Sequence, residues 1–214
     1  MKKLIYLSVF IGLIHLLACD PPAIFTEPQP TDTKNLREFP KRLKGQYLSI
    51  EDNSILAISD SLILRVYDYD YKMHPNELDS NSRLSGDTLI DLNTKEKSII
   101  KREGDSIITH IHSVDTLFQL NYDNVVRKFK GYYFLNTRLL NVKEGWEVKK
   151  VKLSKGKLTV SSISAKEDIQ TLEAITETPQ DTLKVHRFKP TKKQFRQFIK
   201  KEGFSDSEVY VKIN

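Results

Sequence analysis

Few of the residues that build covalent, redox or metal-dependent sites occur in this sequence. Its 214 residues include one cysteine (Cys19), one tryptophan and two methionines. A single cysteine cannot form a disulfide within the chain, so the fold must rest on its noncovalent core. The G-x-S-x-G, H-E-x-x-H, C-x-x-C and phosphate-binding glycine-loop signatures are also absent. We therefore expect a non-catalytic protein more than an enzyme, and no cofactor.

Neither sign of charge is in large excess. The chain has 34 Lys and Arg against 28 Asp and Glu, a net charge of +6, and the two signs are interspersed. This balance favours a solvated surface, and nucleic acid is not expected as a partner. Two basic clusters do occur, over residues 149–157 and 192–201. An anionic membrane surface close to the lipid anchor could bind them, although a solvated face is the default interpretation.

The chain has one long apolar run, at its N-terminus. Residues 4–17 are apolar except for Ser8, Gly12 and His15, and they follow Lys2 and Lys3. A membrane-spanning helix needs about 20 apolar residues, which is more than this run provides. A positive start and a short apolar run are typical of a cleaved export signal, here predicted over residues 1–18.

The run ends in Leu16-Leu17-Ala18-Cys19, which resembles the lipobox of bacterial lipoproteins. The resemblance implies that the Cys19 sulfur carries a diacylglyceryl group, that the signal is cut before Cys19, and that a fatty acid such as palmitate acylates the new amine. It also implies a lipid-anchored protein of the bacterial cell envelope, with the membrane as one partner. Whether that membrane is the inner or the outer one stays open.

The segment after the cysteine is rich in proline. Four prolines lie between residues 20 and 36 among Thr, Glu, Gln and Asp. Because proline fixes φ and removes a backbone donor, we predict an extended, mobile tether within residues 19–38. Residues 39–214 are then a single β-rich domain, long enough for one core.

Most of this domain consists of short runs of β-branched, aliphatic and aromatic residues separated by Asp-Ser and Asp-Thr turns. These runs predict β-strands. The fold class is mainly β (α+β): an antiparallel meander that forms a barrel or a curved sheet, with two C-terminal helices. Strands are predicted over residues 46–51, 55–58, 62–70, 97–102, 107–112, 117–120, 125–140, 146–153, 158–162 and 208–213.

The two helices follow from spacing and caps. Apolar residues recur on one helical face over 165–176, with Ser164 and Glu167 as a capping box. A second helix over 191–202 begins at Thr191 and buries Phe195 and Phe198. Gly203 can end this helix.

Tyr67, Tyr69 and Tyr71 alternate with two aspartates in a predicted strand. One face of the strand is therefore aromatic and the other acidic. The tyrosines are candidates for contact with a ligand or a partner, and a packed aromatic face is the simpler interpretation.

His110 and His112 point to one face of another predicted strand. Together they form half of a zinc site, which His74 or His186 could complete. We expect no metal, because two exposed histidines on a strand are common and three converging ligands are needed.

The ends of the domain resemble those of lipocalins. Leu43-Lys44-Gly45-Gln46-Tyr47 is similar to the G-x-W segment that opens them, with Tyr47 in place of tryptophan. Arg187 stands where the family places an arginine over that tryptophan. The resemblance implies a calycin-like barrel with a helix before its last strand.

These observations favour an envelope lipoprotein that binds a partner protein or an envelope ligand without catalysis. A lipocalin-like carrier of a small apolar ligand is one alternative, and an envelope hydrolase with an unrecognised site is another. Large strand residues predict a filled interior with no cavity for a lipophilic ligand, namely Tyr67, Tyr69, Tyr71, Phe129 and Tyr133.

Overall fold

A computed structural model describes residues 23–177 and 186–213, so the predicted signal peptide and Cys19 lie outside the described residues. The described fold is mainly β with two C-terminal helices, as the sequence predicts. Its helices are α1 (Lys166–Thr176) and α2 (Lys192–Lys200). Its strands are β1 (Ala23–Phe25), β2 (Gly45–Ser49), β3 (Ile55–Ile58), β4 (Leu62–Met73), β5 (Ser82–Ser85), β6 (Thr88–Asp91), β7 (Lys97–Glu103), β8 (Ser106–Gln119), β9 (Asn124–Phe129), β10 (Tyr132–Arg138), β11 (Trp146–Ser154), β12 (Lys157–Ser162), β13 (His186–Phe188) and β14 (Asp206–Lys212).

The strands form one sheet in the order β13-β1-β11-β12-β14-β2-β3-β4-β8-β7-β6-β5, with β10 pairing β11 and β9 pairing β10. The pairs are antiparallel except for β1 with β13. The sheet is not closed, so the barrel form of the prediction is wrong and the curved-sheet form is confirmed. Residues 36–39 connect β9 with the turn between β3 and β4, because Leu36 N donates to Val126 O at 2.8 Å and Phe39 N donates to Asp60 O at 2.8 Å.

The sheet curls around a core on its inner face. Side chains from β9 and β10 join one apolar cluster with side chains from β3, β4 and β8, which lie far away in the strand order. Tyr47, Tyr133 and Tyr210 are at most 1% exposed in this cluster. Large side chains therefore fill the inner side of the sheet. Of the five residues predicted to plug the interior, Tyr133 lies in this core.

The outer face carries the helices. Phe134, Val148 and Ile163 point away from the inner core and pack against α1 and α2. As predicted, Phe195 and Phe198 of α2 are fully buried there. The burial of these rings contributes more to helix stability than propensity does, because so short a helix is marginal alone.

The N-terminal caps of the helices differ. Thr191 Oγ1 accepts from Gln194 N at 3.3 Å while Gln194 Oε1 accepts from Thr191 N at 2.9 Å, so the predicted cap of α2 is confirmed. Helix α1 instead begins after Ala165 with no side-chain cap, so the capping box of Ser164 and Glu167 is wrong. Gly203 is needed for packing, because a Cβ there would lie 1.9 Å from the Phe198 ring.

The prediction of a mobile tether is wrong for residues 23–38, which belong to the domain. Strand β1 is buried and lies between β11 and β13. Further on, Gln29 N donates to Asn136 Oδ1 at 2.5 Å, and Asn136 Nδ2 donates to Gln29 O at 3.0 Å. Arg127 Nη1 donates to Pro30 O at 2.8 Å. Side chains of β9 and β10 therefore hold the proline-rich segment by its backbone.

The features that resemble lipocalins are placed differently. Tyr47 is buried, and its hydroxyl donates to Leu43 O at 2.9 Å. The cation over its ring is Lys212, whose Nζ lies 5.7 Å from the centroid. Arg187 is exposed and donates to Lys143 O at 3.1 Å, so the expectation for Arg187 is wrong. With an open sheet as well, the structure does not extend the resemblance beyond the two sequence segments.

Candidate functional site

The tyrosine stripe lies on a ribbon of β4 and β8 that runs beyond the inner core. Tyr69 and Tyr71 are 42% and 47% exposed, and Tyr67 is half-buried with its hydroxyl 3.3 Å from Asp52 Oδ2. The alternation of aromatic and acidic faces is confirmed by the pairing of β4 with β8. The expectation that all three rings plug the interior is wrong, because β4 continues past the core that could bury them.

His110 and His112 lie on the acidic face of this ribbon. The register places His112 opposite Asp68 and His110 opposite Asp70. His110 Nδ1 is 3.1 Å from Asp70 Oδ1, and His112 Nδ1 is 3.3 Å from Asp68 Oδ2. These four exposed side chains form a ladder of cross-strand ion pairs, whose strength depends on histidine protonation and is weak in water.

The two histidines that could complete a zinc site lie elsewhere. His74 accepts from Asn76 N at the start of a short 3-10 helix. His186 Nδ1 lies 2.9 Å from Glu173 Oε1, beside α1. Over residues 23–177 and 186–213, no group of three or more His, Cys, Asp or Glu side chains is arranged to hold a metal ion.

The two basic clusters of the sequence meet at an open cleft on the outer face of the sheet. Its volume is about 790 Å³, and strands β10, β11, β12 and β14 form one wall while the C-terminal end of α2 forms the other. We call it the basic cleft. Its cations are Lys130, Lys150, Lys152, Arg196 and Lys200.

Strand register explains why Lys150 and Lys152 reach the cleft. Alternate residues of a strand point to one face. Lys150 and Lys152 therefore point to the outer face of the sheet, while Lys149 and Val151 point to the inner face. Lys150 pairs with Ser161 of β12, and Ser161 pairs with Ser207 of β14. Cross-strand neighbours have Cβ atoms about 5 Å apart, so one cation and two hydroxyls form a row.

A second row places hydroxyl and aromatic groups beside the cations. Lys152 pairs with Thr159, and the Nζ of Lys152 lies 5.8 Å from the Tyr132 ring centroid. The Nζ of Lys150 is also 5.8 Å from Tyr132 and 5.0 Å from Phe204. Cations over aromatic faces are attracted by the ring quadrupole, which restrains the otherwise flexible lysine side chains.

Lys150 has the most unusual environment in the cleft. It is half-buried, and burial lowers the pKa of its ammonium group, while the charges of Asp168 and Glu202 oppose that change and Lys152 adds to it. Asp168 is itself buried and accepts from Ser205 N at 3.1 Å and Ser205 Oγ at 2.8 Å. The fold therefore keeps a partly desolvated cation next to the cleft at a cost in stability.

Some cations of the domain form direct ion pairs, but those of the cleft do not within the described residues. Lys72 Nζ lies 2.9 Å from Glu103 Oε2, and Arg102 Nε lies 3.2 Å from Asp87 Oδ1. Lys44 and Arg65 also form ion pairs. In the part of the chain that is described, none of the five cleft cations has a carboxylate oxygen within 4.0 Å. Five cations against one lining carboxylate, Glu202, give the cleft a positive potential that favours an anionic ligand.

Sequence reasoning found the basic clusters but not the cleft. It placed Lys149 with Lys150, although the two side chains lie on opposite faces of β11. The alternation of the strand was a usable signal, since it separates Lys150 and Lys152 from Lys149. The meeting of these lysines with Arg196 and Lys200 had no local signal, because the two groups are more than forty residues apart.

Comparison of the chain with protein-family models, curated proteins and solved structures finds no match in any of the three. Neither helix in the described part of the chain is long and apolar enough to cross a membrane.

Proposed function

We propose that this protein is a lipid-anchored lipoprotein of the bacterial cell envelope that binds an anionic envelope ligand without transforming it. The N-terminal signal and Cys19 support the anchor and the compartment. The observation that carries the binding role is the basic cleft, where five cations meet and, among the described residues, none of them forms an ion pair within 4.0 Å. Anchoring would hold this cleft close to the envelope polymers and lipids that carry negative charge.

The side chains of the cleft favour binding over hydrolysis. A lysine with a lowered pKa beside a serine is the composition of a serine–lysine catalytic pair, and Lys150 is next to Ser161. Nucleophile and base must lie within hydrogen-bond reach. Ser161 instead accepts a 2.9 Å hydrogen bond from Ser207, and among the described residues no hydrogen bond joins it to Lys150.

The inner face of the sheet offers little support for a carrier of apolar ligands. A carrier needs inward side chains that leave a cavity. Tyr47, Tyr133 and Tyr210 occupy the inner face and are almost completely buried. Nine of the thirteen residues that line the cleft on the outer face are cations or Ser and Thr residues, which favours a polar, charged ligand.

The proposal can be tested by titrating inorganic phosphate into the full chain, purified in a polyoxyethylene detergent, while its amide NMR signals are recorded. We expect saturable shifts at Thr159, Ser161 and Phe204. Hydrogen bonds to charged groups contribute about 1.5–3 kcal/mol, so Lys150→Gln should weaken binding at least about ten-fold.

Lys149→Gln is the matched control, since Lys149 is adjacent in β11 but points to the other face. It lies 3.6 Å from Glu147 and should leave phosphate binding unchanged. Higher salt should weaken binding to the native chain. Shifts spread over the whole surface, or equal losses in both variants, would contradict a binding role for the cleft.

A further inference from the structure

Resting on the proposed function, we infer that the ligand of the basic cleft is a phosphorylated sugar or polyol. Its phosphate would be held by the lysines, and its hydroxyls would be held by the row of Ser and Thr side chains on β12 and β14. Three features of the cleft lead to this chemistry: the kind of cation, the hydroxyl wall and the size.

The cations suit a tetrahedral oxyanion. Four of the five are lysines, whose ammonium groups are compact charges that donate in three directions. The planar fork of arginine recognises carboxylate and phosphate alike, and the cleft has one arginine, Arg196, which is exposed on α2, so most of its positive charge lies on lysines. Lys150 and Lys152 are held over the same ring, that of Tyr132, so less side-chain entropy is lost when an anion binds.

The β12–β14 side of the cleft, next to the lysine strand, carries hydroxyl groups, and Glu202 after α2 adds a carboxylate to the lining. Thr159, Ser161, Ser205 and Ser207 line this side, and each hydroxyl both donates and accepts. Ser207 and Ser161 already share one hydrogen bond, which orients both groups. Thr159 has no side-chain hydrogen bond within the described residues. A bare anion can use only the donors of such a wall, whereas the alternating donors and acceptors of a sugar can use both its donors and its acceptors.

The size of the cleft agrees with this division. Its volume of about 790 Å³ lies within the range of pockets that hold whole small molecules, and inorganic phosphate would fill little of it. Lys130, Lys150 and Lys152 occupy the β10–β11 side, Arg196 and Lys200 lie on α2, and the hydroxyls lie on the β12–β14 side. A ligand that contacts both sides must carry its charge at one end and its hydroxyls at the other.

The test compares four soluble probes on the full chain in polyoxyethylene detergent: glucose 1-phosphate, inorganic phosphate, glucose and glucuronic acid. We expect glucose 1-phosphate to bind at least about ten-fold more tightly than each of the others. Thr159→Val removes one hydroxyl at nearly constant shape. It should weaken the binding of glucose 1-phosphate several-fold and leave the binding of inorganic phosphate unchanged. Lys150→Gln should weaken the binding of both.

Lipid-linked and soluble sources are then separated with vesicles. If phosphatidylcholine vesicles that contain monophosphorylated lipid A compete with glucose 1-phosphate for the cleft, the phosphosugar of a lipid headgroup is an accepted source. If they do not compete while glucose 1-phosphate still binds, the source is a soluble phosphosaccharide.

Three results would overturn the inference. Equal affinity for inorganic phosphate and glucose 1-phosphate would show that the hydroxyl wall is not used. If glucuronic acid binds as tightly as glucose 1-phosphate, the cleft does not require a phosphate. If phosphatidylglycerol vesicles bind more tightly than glucose 1-phosphate, the cleft is a general site for anionic membranes. These results leave the proposed anion-binding function standing, whereas cleft-independent binding of every probe would remove both proposals.

Discussion

Asn136→Ala should release the proline-rich segment from the domain. Asn136 is fully buried in β10, and its amide makes reciprocal hydrogen bonds to the backbone N and O of Gln29, which is also fully buried. Alanine would leave that N–H and that carbonyl without these partners. A buried unsatisfied group costs about 1–3 kcal/mol, so the two together cost about 2–6 kcal/mol if no water enters. Water that enters the site would bring the loss toward the lower end.

The free energy of unfolding, from denaturant titration of the full chain in detergent, measures this loss. Limited proteolysis should also show new cleavage within residues 26–36 of the variant. Asn81→Ala is the control: Asn81 is exposed, and a surface substitution changes stability by less than about 0.5 kcal/mol. A loss below about 1 kcal/mol for Asn136→Ala, with the native cleavage pattern, would show that Asn136 does not hold the proline-rich segment. It would then favour the predicted mobile tether.

Three further predictions concern the anchor, the helices and the cleft. Cys19→Ser should abolish fatty-acid labelling and leave an uncut precursor; labelled or processed mutant protein would disprove the anchor. Phe195→Ala should cost about 3–5 kcal/mol, because Phe195 is fully buried and its ring centroid lies 5.1 Å from that of Phe134. In the same denaturant titrations, Tyr122→Ala should cost little, as Tyr122 is 84% exposed. Lys150→Met should raise stability at neutral pH while it weakens anion binding.

The sign of the Lys150 effect follows from linkage. Burial lowers the folded-state pKa of this lysine, so the unfolded chain binds more protons at alkaline pH and stability rises with pH there. Below the folded-state pKa of Lys150, the buried charge destabilises the fold to its full extent. This destabilisation disappears as pH approaches 10.5, the ordinary pKa of lysine. The advantage of Lys150→Met should therefore shrink between neutral pH and about pH 10.5. An advantage that stays constant over that range would contradict the assigned cause.

The differences between expectation and structure arise from long-range contacts. Strands β1, β5, β6 and β13 have only three or four residues each, so alternation indicates them weakly; the equally short β3 is predicted because its residues Ile55–Ile58 are all apolar. The prolines of residues 21–30 indicate an extended chain, and β1 is extended, whereas the chain bends and turns over residues 26–32. Composition alone could not show that Arg127 and Asn136, about a hundred residues later, bind its backbone.

Local chemistry accounts for what the sequence by itself determined. The cap at Thr191, the apolar stripe of α2 and the alternation of Tyr67–Tyr71 depend on neighbours within four residues, so they can be predicted from spacing. The mainly β class follows in the same way from short alternating runs between turns. The predicted lipobox at Cys19 is likewise a local pattern.

Only the tertiary structure decided where charge and hydroxyl groups meet. The register β11–β12–β14 brings Lys150, Ser161 and Ser207 into one row, and the packing of α2 on Phe134 brings Lys200 beside them. Register is set by which faces the whole curved sheet buries, and a shift of one residue would have turned Lys150 toward the inner core. Because that choice depends on packing across the chain, no segment of the sequence encodes the cleft alone.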